Sequence, residues 1–562
     1  MELQTLTSRP VGSWGGYKLT IKNFKKIESG EYEFNEKVNI LVGDNDSGKT
    51  TILEALELVS SSNYRGKSIN SSLSPQLFNS KAVRTYLDGD LSKGSLPEII
   101  IEAYLSDCPE YRGKNNSQNK EHEGLFIKIC FDDDLTPTYE EFCKNAKVDS
   151  IPTEFYKVEW FSFAWDPIKF LSRKVKGLFI DPTRLHPTYG KTQYLSNIIN
   201  SSLNKEQQAL LHLNYRQLKN SFEEQQQIQE LNNDLDSENQ VTEQNLSIIA
   251  DTNSGTVEAG LQLAVDEISF NHIGKGEQNK IQVKLALLNK GGNVNFVTVE
   301  EPENHLSHTN LSRLVKFISD NANNQIFITT HSSYVLNKLS LNHLCLISDD
   351  YLRLKEIDSG TAKTLQRLPG YDTLRIVLSK KVILVEGPSD ELILKKKYLQ
   401  DNKRLPEEDG IDIIVVRGIG FKHYLQIAKL IGTKVNVVKD NDGSYQTNIV
   451  DYASNFKFKN IEFFSEPNDE LKSLEPSLIA ANGKDEKTLD EFAEIALSKI
   501  AYNEYKEIKS LDEKIKYFKA VYVGEKGDKN YGSKKVDSAV RIFDSTNVIQ
   551  YPNYLLEALK FD

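Results

Sequence analysis

The segment Gly43-Asp44-Asn45-Asp46-Ser47-Gly48-Lys49-Thr50 constrains this chain more than any other. An apolar run, Val38-Asn39-Ile40-Leu41-Val42, leads into it, and a helical pattern from Thr51 to Leu58 leads out. Strand, glycine loop and helix in that order form the setting in which a G-x-x-x-x-G-K-[ST] match is a phosphate cradle and not an ordinary turn. Gly43 and Gly48 let the backbone curl so that its N–H groups, Asn45 among them, face a phosphate chain. The helix that starts behind them adds the partial positive charge of its N-terminus. Lys49 then reaches the β- and γ-phosphates, Thr50 offers its hydroxyl to Mg²⁺, and Thr51 follows on the same first turn.

The chain has 562 residues, enough for two to four domains. Its 39% hydrophobic and 27% charged residues are those of ordinary globular protein. A formal charge of −11 argues against a uniformly basic nucleic-acid surface, while a local basic groove stays compatible with it. Cys108, Cys130, Cys143 and Cys345 form no C-x-x-C pair, which fits reduced thiols better than a zinc site or a disulfide frame. No apolar run approaches the length of a membrane span and the N-terminus has no signal-peptide core, so the expected protein is soluble and cytoplasmic, with no membrane partner.

Short alternating segments precede the glycine loop at Tyr17–Ile21 and Gly30–Phe34, and strand-like runs recur at Glu98–Glu102, Leu125–Ile129 and 155–181. Composition then shifts. Residues 191–245 are rich in Gln, Asn, Glu and Leu and lack proline. Leu211, Tyr215, Leu218 and Phe222 follow a 4-3-4 spacing, and Ile228, Leu231 and Leu235 resume it after a slip in register. Such a seam belongs to a helical arm, packed either on a partner or on its own domain. From 294 to 330 the pattern returns to strand-helix-strand, and from 381 strands near 381–385, 411–416, 434–438 and 460–464 alternate with helices, as in a parallel sheet.

Val299-Glu300-Glu301-Pro302-Glu303 closes a buried strand with two adjacent carboxylates. Glu300 is placed to hold Mg²⁺ and Glu301 to orient the water that attacks the γ-phosphate. Upstream, Gly274-Lys275-Gly276 opens a helix, and downstream His331 follows a strand. Together these features resemble the ATPase head shared by ABC transporters, SMC proteins and OLD (overcoming lysogenization defect) nucleases. The resemblance implies a signature motif at Gly274, Lys275 and Gly276, a Walker B at Val297–Glu301 and a switch histidine at His331. It also implies ATP sandwiched between two heads. Lys275 stands where the signature motif usually offers a serine, and Glu300 replaces the usual Walker B aspartate.

Val382-Ile383-Leu384-Val385-Glu386-Gly387 is a strand ending in a carboxylate, with Asp390 on the next helical turn. Val435–Val438 is another, ending in Asp440-Asn441-Asp442. Parallel strands deliver these ends to one sheet edge, where hard oxygen ligands suit Mg²⁺ or Mn²⁺. The pattern resembles the Toprim fold, and Glu475 and Lys535 match further positions of the OLD pattern, with Lys534 an alternative to Lys535. The resemblance implies Glu386, Asp440 and Asp442 as the core of a two-metal site, Asp390 and Glu475 as further ligands, and Lys535 as a transition-state charge. It covers nearly the whole chain: an ABC/SMC-like ATPase domain at 1–345 carrying a helical insertion at 191–245 where OLD proteins carry a dimerisation element, a linker at 346–379, and an α/β Toprim nuclease domain with a parallel sheet at 380–562.

The resemblance implies an ATP-regulated DNA endonuclease of phage defence, similar to the Gabija nuclease subunit and to retron-associated OLD effectors. Implied partners are DNA, further copies of the chain, and a helicase-like protein or a retron reverse transcriptase with its DNA. A DNA clamp or repair ATPase of the RecF or SMC kind, with a non-catalytic Toprim, is the alternative. A topoisomerase would need a DNA-gate domain for which no length remains. Lys395-Lys396-Lys397, Lys422-His423, Lys526, Lys529, Lys534 and Lys535 are the basic residues considered for DNA contact.

Overall fold

A computed structural model describes residues 17–145, 148–180, 204–237, 264–270, 272–288, 295–320, 324–348, 351–354, 357–367, 372–417, 420–523 and 535–561. The chain divides into two compact units: Met1–His331 with His343–Arg353, and Ser332–Asn342 with Leu354–Asp562.

The first unit holds two sheets. One is antiparallel, in the order Ile27–Glu33, Lys18–Phe24, Ile99–Leu105, His122–Phe131 and Arg112–Gly113, with Tyr156–Ser162 also paired to His122–Phe131. The other runs Gly177–Ile180, Phe296–Glu300, Gln325–Thr329, Val38–Val42 and Leu344–Leu346 in parallel, and Leu352–Arg353 closes it antiparallel. Val38–Val42 and Gln325–Thr329 are buried throughout, as expected for strands covered on both faces. The helix Lys49–Ser61 touches strands of both sheets and is buried on nearly every side. Ile52 and Leu56 join Leu41, Ile101, Ile127 and Phe327 in one core. Its buried Glu54 is matched by Lys25 and by Arg65 at 2.9 Å, which removes the cost of an unpaired buried charge.

Within 204–237 the chain forms the helices Lys205–Glu223 and Gln226–Ser237, the first opened by a capping box between Asn204 and Gln207. Among the described residues part of the apolar seam is exposed, Leu218 at 66% and Phe222 at 54%, while Leu211, Tyr215 and Ile228 are half-buried. Residues 191–203 and 238–245 of the expected insertion lie outside the described residues.

The second unit is built on a parallel sheet in the order Ile411–Val415, Lys381–Val385, Lys434–Val438, Ile461–Phe464. These are the strands the alternating pattern predicts. Val385 lies opposite both Val415 and Val438, so the residues after them emerge along one edge. The helix Pro388–Asn402 packs against Lys535–Asp544, through a core that includes Ile393, Leu394, Ala539 and Ile542. Residues 346–379, read from sequence as a connection, contain the strand Leu352–Arg353 of the first unit and the helices Ser359–Arg367 and Thr373–Leu378 of the second.

Candidate functional site

The glycine loop is shaped by its neighbours. A Cβ on Gly43 would lie 2.3 Å from the Ile347 carbonyl oxygen and 2.4 Å from Ser47 Oγ, so only glycine fits. Gly48 has φ +101°, in the left-handed region glycine enters without penalty. Lys49 Nζ donates to the carbonyls of Gly43 (2.9 Å) and Asp44 (2.8 Å), spanning the loop mouth. Burial lowers its pKa, against the pull of Glu301, Asp44 and Glu300. Thr50 Oγ1 donates to Glu300 Oε1 at 2.5 Å, which joins two residues 250 positions apart at the two places a nucleotide-bound Mg²⁺ would be held. Asn45 is exposed on the loop and Thr51 is buried in the helix behind it. The cradle, its lysine and the Thr50–Glu300 pair fit a nucleoside triphosphate and its cation.

Glu301 follows Glu300 in a left-handed conformation, φ 45°, with its N–H on the Thr329 carbonyl at 3.1 Å. His331 Nε2 lies 3.5 Å from Glu301 Oε1. Burial, then the charge of Glu303, raises the Glu301 carboxyl to about 8. Burial, then Lys49, lowers His331 and favours its neutral form. Glu303, which sequence reasoning passed over, accepts from Thr330 Oγ1 at 2.7 Å and from the His331 N–H at 2.8 Å. It therefore fixes the end of one strand against the turn that carries Glu301. The repeated carboxylate in Glu300-Glu301-Pro302-Glu303 was the available signal.

Gly274 and Lys275 are exposed at the start of the helix Lys275–Leu288. Gly276 packs on the turn after Glu301, where a Cβ would meet the His305 carbonyl oxygen at 2.2 Å. Asn279 Nδ2 donates to the Pro302 carbonyl at 3.3 Å. Among the described residues, no hydrogen bond or ion pair joins Gly274, Lys275 or Gly276 to the glycine loop.

In the second unit Glu386, Asp390, Asp440, Asp442 and Glu475 gather at the sheet edge. Asp390 is buried in the first turn of its helix, and its Oδ2 accepts the Gly387 N–H at 3.0 Å. Burial, with Glu475 and Glu386 beside it, raises Asp390 to about 7. Burial, with Asp390, Glu386, Glu475 and Asp442 around it, raises Asp440 to about 8. Asp442, at φ 47°, is exposed. Asn441 between the two aspartates is 1% exposed and donates to the carbonyls of Glu466 (2.7 Å) and Asn468 (3.0 Å). It locks the turn that presents both carboxylates, a role nothing in its spacing announced. Glu475 is buried and accepts from Lys535 Nζ at 2.8 Å and Ser473 Oγ at 3.0 Å.

Hard oxygens crowded enough to raise two carboxyls to about 7 and about 8 fit a divalent cation by donor type and by charge. Among the described residues, however, no three His, Cys, Asp or Glu side chains stand in a ligating arrangement. Lys535 engages Glu475, and Lys439 Nζ lies 3.5 Å from Glu386 Oε1. Of the basic residues considered for DNA, Lys395 pairs with Glu391 and Glu407, Lys396 is buried and donates to the Phe543 carbonyl, and Lys397 pairs with Asp401. All three are committed within the unit. Lys526, Lys529 and Lys534 lie outside the described residues. No described helix is long and apolar enough to cross a membrane.

Residues 377–442 match the family described as overcoming lysogenization defect protein-like, TOPRIM domain. Residues 18–259 match an AAA domain, and 194–337 an AAA domain of the putative AbiEii toxin, type IV toxin–antitoxin kind. The chain is 25% identical over 221 residues to the endonuclease GajA of Bacillus cereus (strain HuB5-5), a match covering 32% of this chain and 32% of that protein. It is 36% identical over 86 residues to the DNA replication and repair protein RecF of Clostridioides difficile (strain 630), covering 15% and 22%. The chain thus spans about a third or less of the length of these curated relatives. The solved C-terminal region of the Burkholderia pseudomallei OLD protein is similar at 16% identity, covering 32% of this chain and 95% of that one, with a TM-score of 0.22. An AAA-domain match is thus followed along the chain by an OLD-like Toprim match.

Proposed function

We propose that the chain is an ATP-regulated, divalent-cation-dependent DNA endonuclease of antiphage defence. The observation that carries this reading is the charge pattern at the parallel sheet edge, where Asp390, Glu386, Glu475 and Asp442 all bear on Asp440 and lysines stand among them. Glu386, Asp390, Asp440, Asp442 and Glu475 are the residues that would hold Mg²⁺ or Mn²⁺. Two such cations would supply a hydroxide nucleophile and steady the leaving 3′-oxygen. Lys535, oriented by Glu475, places positive charge where the phosphate gains negative charge. In the head, Lys49 and the loop N–H groups bind the triphosphate, Thr50 and Glu300 orient its cation, and Glu301 takes the proton of the attacking water. His331 beside it donates or accepts one hydrogen bond in its neutral form. The partial similarity to the endonuclease GajA supports the nuclease reading.

The similarity of the head to RecF supports a second reading, a DNA-repair ATPase whose Toprim domain is not catalytic. Purified protein incubated with supercoiled plasmid and Mg²⁺ or Mn²⁺, with and without ATP, separates the two. Nicked or linear product is expected, abolished by Glu386→Ala and by Asp440→Ala while ATP hydrolysis persists. Plasmid left intact by the wild-type protein under every cation and nucleotide condition would favour the second reading.

A further inference from the structure

Lys439 stands directly ahead of the Asp440-Asn441-Asp442 turn. Val438 is in register with Val385, so the next residue of each strand, Lys439 and Glu386, emerges at the same level of the sheet edge. The Lys439 N–H on the Phe464 carbonyl, 3.1 Å, holds the backbone there. From that anchor Nζ lies 3.5 Å from Glu386 Oε1 and 4.0 Å from Asp442 Oδ2, and donates to the Asp440 carbonyl at 3.3 Å. The Tyr452 ring closes the other side, its centroid 5.9 Å from Nζ. One ammonium therefore sits among three residues of the carboxylate turn and its neighbouring strand.

The two lysines of this edge are held differently. Lys535 makes a 2.8 Å hydrogen bond to a carboxylate that is itself 4% exposed. Lys439 approaches its two carboxylates at ion-pair distance only, and one of them, Asp442, is 66% exposed. A compact charge on a flexible four-carbon stem is suited to exchanging partners.

We propose that Lys439 competes with the divalent cation for Glu386 and Asp442 and, once displaced from them, binds the phosphodiester. The inference rests on the nuclease reading above. An ammonium and a divalent cation cannot share the same two carboxylates without strong repulsion at this range, so each cation that enters must dislodge the lysine. The freed ammonium is left beside the cation, where it meets a non-bridging phosphate oxygen. Metal affinity is lowered by this competition and substrate affinity becomes dependent on metal.

The test uses the full chain without nucleotide. Calorimetric titration with MnCl₂ should show Lys439→Gln binding Mn²⁺ about tenfold more tightly than wild type, and Lys439→Arg, which keeps the charge, binding it as wild type does. Lys439→Ala gives the same reading if glutamine disturbs the turn, and a circular-dichroism melt checks that each variant is folded. A fluorescein-labelled phosphorothioate duplex, followed by anisotropy, should bind Lys439→Gln several-fold more weakly than wild type with Mn²⁺ present and equally without it. Unchanged or weaker Mn²⁺ binding by Lys439→Gln, or equal duplex affinity with Mn²⁺, overturns the role of Lys439 and leaves the nuclease reading standing. No Mn²⁺ binding by the wild-type chain overturns both.

Discussion

Glu303 Oε1 is committed to Thr330 and to the His331 N–H, while Oε2 is buried. What bears on it is the Glu301 carboxyl, whose pKa burial and Glu303 raise to about 8. A base acts in its deprotonated form, so ATP turnover should climb as pH rises through that value. Glu303→Gln removes the charge that raises Glu301, yet its amide oxygen still accepts from Thr330 and His331. The inflection of kcat for ATP hydrolysis should therefore move to lower pH in that variant; an inflection that stays put would mean Glu303 does not govern Glu301. The motifs around Lys49, Thr50, Glu300 and Asp440 were legible in the sequence because each is a run of adjacent residues. Glu303, Asn441 and Lys439 were not, because their roles exist only once distant strands bring Thr330, Glu466 and Glu386 beside them.

At the scale of elements, the period of 191–245 predicted helices, and its described part forms them. A period defines which face is apolar and leaves open what covers it. On Lys205–Glu223 and Gln226–Ser237 four residues of that face, Leu218, Phe222, Leu231 and Leu235, are exposed. Burying each such side chain is worth about 1.5–3 kcal/mol, so pairing these helices with those of a second copy would favour association. Light scattering should give at least a dimer for the intact chain, and replacing Leu211, Leu218 and Phe222 together by Asp should shift the mass toward a monomer. A monomer mass for the unmodified chain, with and without ATP, would rule this out. The parallel strands Lys381–Val385 and Lys434–Val438 were equally legible, as short runs of β-branched and other apolar residues broken only by Asn436. Residues 346–379 were not: their elements are too short for any period to stand out.

For the whole molecule, the order of head and Toprim domain could be read from the motifs, but the path of the chain between them could not. Nothing in composition marks Ser332–Asn342 as part of the second unit. Yet that crossing starts one residue after His331. Ser332 caps the helix Ser333–Leu339 through the Val335 N–H. Asn337 of that helix accepts from Thr373 Oγ1 at 2.5 Å, and Ser333 Oγ accepts the Leu374 N–H at 3.2 Å. The next residue, Arg375, bonds Asp412 Oδ1 at 2.8 Å, on the strand paired with Lys381–Val385. Should a γ-phosphate displace His331, the helix that follows it in the chain is bonded within the second unit to Thr373 and Leu374, next to Arg375. Occupancy of the head, more than turnover, should then set the nuclease state. Lys49→Ala should lose nucleotide binding, and its cleavage should match wild type without ATP. Glu301→Gln should bind ATP, hydrolyse it about 100-fold more slowly, and hold cleavage at the wild-type level with ATP bound. Thr373→Val removes the bond to Asn337 without touching either site, so it should keep ATP hydrolysis and basal cleavage but weaken the effect of ATP on cleavage. If Lys49→Ala and Glu301→Gln both keep the wild-type response to added ATP, the two halves are not coupled through the nucleotide. If only Thr373→Val keeps it, coupling exists but does not run through this helix.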